Sequence, residues 1–434
     1  MSELPTPPSV APIGCRQPLA SRVDCAGLQF AAALTTALGA YLVSCWLVPM
    51  QPTPAAFGAQ WMEMSKDPFA LYGQFPHRLL GPLLAWALGC GGEHFLGFVC
   101  GLNVLLLTMV GFFCLRRGGA FVDAVLITLA VALTAPVQMY KEHWVGYVDP
   151  LCYSLFFASM LTARWPWLFW SLFLANLLNH ELAAFLLPWL WFLRRREDRR
   201  WRADLIGAGV ALALYAGFYL LVKAKAQPTY SSDYFFSHPL FPGGTLVVWC
   251  LAVVHWVVGT GPLLAMLAAH QRRPGERAER WQLWLVLLGI LSIFGIAFDW
   301  QRHSNLLVLP FVLASTRFLA GGARQRWIFA ALLVVSAALF LVPTWRPWSP
   351  TAWPTCVITE PQVLVRTGIL VNLAPDGAPV DFGFGPLRAT VQNWLPEAWP
   401  VLLPTFGLLA LFLGLGWWLA RRAPAPLAQP APHE

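Results

Sequence analysis

Ionisable residues in a mostly apolar chain mark the places where chemistry can occur, and here they fall in a few short stretches. Glu63, Asp67, His77 and Arg78 lie within FGAQWMEMSKDPFALYGQFPHRLLGPLLAWALGC, residues 57–90. Asp149 stands in GYVDPL, and Asn179, His180 and Glu181 interrupt the apolar run 165–193. Asp299, Arg302 and His303 form a further group, with Lys141, Glu142 and His143 and then Asp233 and His238 in other connections. A carboxylate within hydrogen-bond reach of a hydroxyl can act as a general base. Arginine and protonated histidine supply fixed positive charge for an anionic group such as a phosphate. Ionisable groups in or near a membrane are costly and face a cavity, a partner or a substrate path.

Each group also has a plainer reading. Asp149 can simply open a helix beside Pro150, and Glu181 can pair with His180 or Arg302 to fix a turn. Asp299 and Arg302 have the spacing of an i,i+3 ion pair. His77-Arg78 can bind lipid headgroups, Lys141-Glu142-His143 can be a solvated turn, and His255, alone in an apolar run, reads as a core histidine. The abundant tryptophans read as interfacial anchors.

The elements that position these residues are membrane helices. The chain is 58% hydrophobic and 12% charged, with mean hydropathy +0.58, the composition of an integral membrane protein. The net charge of +8 does not indicate nucleic acid, because the basic residues cluster beside apolar runs as orientation signals. Nine cysteines are scattered without a CxxC pair or metal-like spacing, and only Cys356 falls plainly in a long loop, so no disulfide framework is expected. The start, MSELPTPPSVAPIGC, is Pro-rich and polar, unlike a cleavable signal peptide, and the first span reads as an uncleaved anchor.

Apolar runs place spans at 25–48, 94–115, 120–138, 144–162, 203–223, 243–270, 281–298, 304–320, 327–343 and 399–420. Arg16/Arg22, Arg116/Arg117, Arg164, the run RRREDRRWR at 194–202, QRRPGERAER at 271–280, Arg317/Arg324/Arg326 and Arg421/Arg422 mark the cytoplasmic side. Segment 79–89 is too short to cross roughly 30 Å and reads as interfacial or re-entrant. The run 165–193 starts and ends beside cytoplasmic arginines, so a hairpin of short helices 165–178 and 181–193 is favoured over one tilted span. The fold expected is an all-α polytopic integral membrane protein with about 12 transmembrane helices. Its parts are a cytoplasmic tail 1–24, a transmembrane domain 25–343 with juxtamembrane helices at 57–90, an extracytoplasmic loop or cap 344–398, a last span 399–420 and a cytoplasmic tail 421–434. No internal repeat is evident, and the tail APAPLAQPAPHE has the composition of a disordered segment.

The pattern WMEMSKDPFALYGQFPHRLLGPLLAWALG followed by FLGFVCGLNVLLLTMVGFF resembles the first outer loop of GT-C membrane glycosyltransferases, a superfamily that includes protein mannosyltransferases and aminoarabinose transferases. LFLANLLNHELAAFLLPWLWFLRRR is similar to their short-helix hairpin, with Asn-His-Glu where they have Thr-Lys-Gly. The resemblance covers about residues 25–200 and implies transfer of a sugar from a polyprenyl-phosphate-type donor to an envelope acceptor, outside the cytoplasm of a bacterial inner membrane. In that group an acidic residue shortly after the first span acts as the base. Here that place reads QPTPAAFGAQ and holds no carboxylate, so Asp67, then Glu63, are the expected catalytic residues. Arg78, Arg302 and His303 would hold the phosphate, Glu181 and Asp149 would orient the sugar or the basic groups, and His77 and His180 would join the substrate site, His180 standing in for the hairpin's basic residue. No cofactor is indicated. A divalent metal is compatible with such chemistry, but no carboxylates lie at ligand spacing. The partners expected are the lipid-linked sugar and membrane lipids. A carrier or flippase with 165–193 as a discontinuous helix, or a non-catalytic glycan-binding descendant, are the competing readings.

Overall fold

The computed structural model describes residues 19–71, 75–142, 144–197, 201–226, 252–272, 277–294, 300–341 and 387–422. These are helical, with no strand among the described residues. In chain order the helices are α1 (Leu19–Leu47), α2 (Ala56–Met64), α3 (Leu80–Ala87), α4 (Phe95–Arg116), α5 (Phe121–Ala132), α6 (Ala135–Glu142), α7 (Asp149–Leu161), α8 (Pro166–Asn179), α9 (Leu187–Glu197) and α10 (Trp201–Lys225). There follow α11 (252–260), α12 (Ala265–Arg272), α13 (Arg277–Phe294), α14 (Trp300–Ser304), α15 (Val308–Leu319), α16 (Ala323–Leu341) and α17 (Leu387–Arg422).

Among the described residues, six helical stretches are long and apolar enough to cross a membrane: Cys25–Leu47, Gly92–Arg116, Phe121–Glu142, Trp201–Lys225, Ala252–Gln271 and Leu402–Arg421. The chain is thus a multi-pass membrane protein. Three of these stretches, in α4, α5–α6 and α11–α12, are mostly buried, whereas those in α1, α10 and α17 are mostly exposed. Leucines 28, 38 and 42 of α1, 205, 214 and 220 of α10 and 403 and 411 of α17 point outward. Apolar residues facing both core and surroundings are what a lipid-contacting helix requires. Exposed Trp165, Trp167, Trp201, Trp281, Trp284, Trp327 and Trp418 stand near helix ends rich in arginine, as interfacial tryptophans do.

Several expected spans are broken or shortened. The span expected at 120–138 is two helices, because Pro136 lacks an amide hydrogen and clashes with the carbonyl four residues before it. That carbonyl, Ala132 O, accepts instead from Gln138 Nε2 at 2.7 Å, and the Thr134 hydroxyl donates to Ala130 O at 2.7 Å. The segment expected at 144–162 is the 13-residue α7, held off by the turn through Gly146 (φ +88°). That at 304–320 is mostly α15, after a 3-10 turn over Asn305–Leu307. The last expected span, 399–420, lies within α17, which begins at Leu387; 344–386 is outside the described residues.

The run 165–193 folds back on itself. Trp170 near the start of α8 meets Trp191 of α9 at 6.3 Å. Arg194, fully buried, donates through Nη1 to Ala163 O and through Nε to Asp204 Oδ1 at 2.8 Å, the carboxylate that also accepts from Trp170 Nε1 at 3.1 Å. Both ends of the run therefore sit together, and α8 and α9 are too short at 14 and 11 residues for either to cover roughly 30 Å. The turn between them is His180 with a 3-10 stretch Glu181–Leu186.

Short helices α2 and α3 occupy the 57–90 stretch, as expected from its length. They are pinned to the connection before α7: Ala55 N donates to Val145 O and Gln51 N to Lys141 O, both at 2.8 Å. Gly58 lies against Gly146, where a Cβ would stand 2.2 Å from Val145 O. The Lys141 ammonium, itself buried, donates to Ser44 O and Oγ at 2.7 Å near the C-terminal end of α1, where positive charge is favoured. Gly58→Ala should lower stability by about 1–3 kcal/mol through overpacking against backbone. Gly97→Ala, with open space around it, should be neutral or slightly stabilising; thermal unfolding of the two purified variants compares them.

Candidate functional site

The hairpin tip lies at the end of the bundle opposite its arginine-rich base. It meets three other elements: the start of α3, the start of α7, and α14. Asn179 Nδ2 donates to Val148 O at 3.3 Å and Asn176 Nδ2 to Cys152 O at 3.1 Å, which docks α8 along the first turns of α7. Gly81 of α3 packs on Val148, so the first loop reaches the same point from the other side.

Two guanidiniums and two carboxylates meet there. Arg302 donates through Nη2 to both oxygens of Asp149, at 3.0 and 3.1 Å, and lies 3.1 Å from His180 Nε2. The two hydrogens of that nitrogen thus serve the carboxylate and the imidazole. Its guanidinium carbon stands 4.5 Å above the Tyr147 ring and 5.6 Å from that of Trp144, within cation–π reach, and Trp61 meets Tyr147 edge-on at 4.8 Å. The Arg302 carbonyl accepts from the Tyr153 hydroxyl at 2.9 Å, itself 2.7 Å from the Tyr140 hydroxyl. Arg302, Asp149, His180 and His303 are all buried.

Arg78 grips Glu181 with two bonds, Nε to Oε2 at 2.9 Å and Nη2 to Oε1, and sits over the Phe75 ring at 4.0 Å. His77 Nε2 approaches Glu181 Oε2 at 3.4 Å and its ring meets Tyr219 of α10 at 5.1 Å. His180 joins the two halves. His180 Nε2 lies 3.1 Å from Arg302 Nη2, and Nδ1 accepts from Leu182 N at 3.3 Å and lies 3.5 Å from Glu181 Oε2. The line Asp149–Arg302–His180–Glu181–Arg78 is therefore continuous. Its most accessible member is Glu181, 34% exposed, beside His77 at 15%.

Six of the expected site residues are joined directly here: His77, Arg78, Asp149, His180, Glu181 and Arg302. His303 lies beside them, its ring perpendicular to that of His180 at 6.1 Å. Glu63 and Asp67 are not joined. Glu63 pairs with Lys66 at 2.7 Å on the surface, and Asp67 accepts from Phe69 N at 3.2 Å to cap the 3-10 turn Pro68–Ala70. The physical reason is local: each carboxylate satisfies a group within three residues of itself. Asp299 lies outside the described residues. Glu181 pairs with Arg78 and not with Arg302. The aromatic partners Tyr147, Trp144, Tyr153 and Tyr219 escape the sequence reading because tryptophan and tyrosine are abundant in any membrane protein. The nearest signal is their alternation with charge in YKEHWVGYVD.

Each of the two guanidiniums is held by a carboxylate. An anion entering the cluster must take Arg78 or Arg302 from a carboxylate. Among the described residues no group of three or more metal-ligating side chains is found. Asp149→Asn should leave Arg302 buried without its counter-charge and cost about 3–5 kcal/mol. Asp149→Asn combined with Arg302→Met should recover part of that loss; a double variant less stable than Asp149→Asn by the full cost of Arg302→Met alone would show the pair to be uncoupled in thermal unfolding. No family model, no curated protein and no solved structure matches this chain, so its function is read from the geometry of this cluster.

Proposed function

We propose that the chain is a membrane glycosyltransferase that moves a sugar from a polyprenyl-phosphate-type donor to an envelope acceptor, in the manner of the GT-C enzymes its first loop and hairpin resemble. The working face is the hairpin-tip end, outside the cytoplasm of a bacterial inner membrane. About 12 crossings and cytoplasmic termini complete this reading. The observation that carries it is the meeting of Arg78, Arg302, Asp149, Glu181 and three histidines, drawn from four separate segments, at one end of the bundle.

Glu181 is better placed than Asp67 or Glu63 to act as the base. In the resting cluster Arg78 holds it. A donor phosphate at the accessible edge competes for Arg78, and its binding releases the carboxylate next to the bound sugar. Glu181 then takes the proton of the acceptor hydroxyl. The acceptor oxygen forms its bond to the anomeric carbon as the carbon–phosphate oxygen bond breaks. The phosphate leaves with that electron pair, its added charge held by Arg78 and His77. Asp149 keeps Arg302 oriented, and His180 transmits that orientation to Glu181.

A carrier of a lipid-linked glycan is the second reading. The pairing of both guanidiniums and the breaks between α5 and α6 and before α15 favour it, since discontinuous helices are a transporter device. The two separate in nanodiscs with a radiolabelled polyprenyl-phosphate sugar and an envelope lipid extract. Glu181→Gln should lose about 10²–10⁴-fold in turnover with donor binding retained, while Asp67→Asn and Glu63→Gln stay within a few-fold of wild type. Donor binding without turnover by the unmodified protein would favour the carrier, and no donor binding would end both.

A further inference from the structure

At the arginine-rich base of the bundle the buried charges compensate each other and the exposed ones do not. Arg194 and Asp204 are both fully buried and form one pair. The same guanidinium donates to Ala163 O, so three chain segments meet on one side chain: the turn before α8, the end of α9 and the start of α10. Arg164, next to Ala163, and Arg202, two residues before Asp204, are thereby brought to one corner of the base, and both are exposed. No carboxylate among the described residues pairs with either of them.

Each of these two arginines lies over a tryptophan. Arg164 Cζ is 4.1 Å from the centre of the Trp165 ring, and Arg202 Cζ is 5.6 Å from that of Trp201. Both rings are half exposed, as indoles at a membrane–water interface are. A ring against one face of a guanidinium leaves the N–H donors, which lie in its plane, for another partner. From this corner α8 and α10 run side by side. Trp170 Nε1 donates to Asp204 Oδ1 at 3.1 Å, and a Cβ on Gly207 would stand 2.3 Å from Trp170 Cδ1. Within a turn of the arginines, Leu168 of α8 and Leu205 of α10 are exposed, apolar surface of the kind that faces lipid.

We propose that this corner of the base is a binding site for one anionic phospholipid, its phosphate held by Arg164 and Arg202 and its acyl chains lying along Leu168 and Leu205. A guanidinium presents paired N–H donors that match phosphate oxygens, and basic pockets between membrane helices suit acidic headgroups. Arg195 and Arg196, exposed at the end of α9, add to the positive charge, and only Glu197 opposes it in the described part of these segments outside the buried pair. A soluble phosphate would meet the arginines and leave the apolar surface beside them unused. A zwitterionic lipid would bring a second cation next to theirs. The site is at the opposite end of the bundle from the hairpin-tip cluster and does not depend on sugar transfer.

The test titrates the full chain, purified in detergent, with phosphatidylglycerol or phosphatidylcholine of the same dioleoyl chains, and counts bound lipid by native mass spectrometry. The first phosphatidylglycerol should bind more tightly than phosphatidylcholine. Arg164→Gln and Arg202→Gln should each weaken it by about fivefold and leave phosphatidylcholine unchanged. Both side chains are exposed and the Arg194–Asp204 pair stays intact, so the variants should unfold at the wild-type temperature. The double variant Arg116→Gln/Arg117→Gln removes two exposed arginines at the end of α4 and controls for overall charge; its affinity should stay close to wild type. Equal binding of the two lipids overturns the site. So does a loss in the α4 variant as large as in Arg164→Gln/Arg202→Gln, or displacement of phosphatidylglycerol by inorganic diphosphate.

Discussion

A guanidinium cannot lose its charge, and the arrangement of this chain follows from where its buried ones are satisfied. Arg302 is enclosed on every described side. Moving such an ion from water into a protein interior costs several kcal/mol even after relaxation, and only well-placed partners offset that. The partners come from far along the chain: Asp149 at the start of α7, His180 at the hairpin tip, the rings of Trp144 and Tyr147, and the Tyr153 hydroxyl on its carbonyl. None can shift without exposing the charge. The hairpin depth, the start of α7 and the seat of α14 are fixed by one side chain.

The same rule operates at the other end of the bundle. Arg194 ties the two feet of the hairpin to Asp204 of α10, and Arg326 of α16 binds both oxygens of Asp123 at 2.6 and 3.1 Å, while Asp123 also accepts from Ala120 N at 2.9 Å at the start of α5. Between these two polar layers the helices have mostly apolar contacts, which lipid could match almost as well. Specific polar pairs at both ends therefore choose which helix neighbours which, and close apolar packing fills in afterwards. That division of labour lets α5 stop at Ala132, α11 pass into the 3-10 stretch Gly261–Leu264 and the turn Asn305–Leu307 precede α15 without loss of register.

Much of this was legible in the sequence. Six of the ionisable residues singled out meet at one end, and the arginines flanking 165–193 favoured a run that turns back, as this one does. The helix breaks carried a signal that hydropathy alone passes over: each has a proline within a few residues, in TAP at 134–136, GTGPLL at 259–264 and NLLVLP at 305–310. Averaging over a window counts proline as merely less apolar, although it removes a backbone donor at one point. Partner choice was not legible. Glu63 and Asp67 look as suited to a site as Glu181, but they have Lys66 and Phe69 N close by in sequence, whereas Glu181 finds Arg78 only once the hairpin and the first loop have docked. Such a selection is made by tertiary distance, which spacing along a chain cannot report.

Pairing of both guanidiniums with carboxylates sets what can enter the resting cluster. A site with unpaired cations would draw any anionic headgroup at the membrane surface, whereas this one must exchange a partner to admit one. The exchange is easiest at Arg78, because its carboxylate Glu181 is the accessible member of the line and Asp149 is not. Glu181 can turn to solvent when displaced; Asp149, enclosed with Arg302, has nowhere to turn. The two ion pairs thus divide into a movable one and a fixed one, joined by His180. Opening the movable pair leaves the fixed pair to hold the hairpin in place, so the site can change partners without the bundle coming apart.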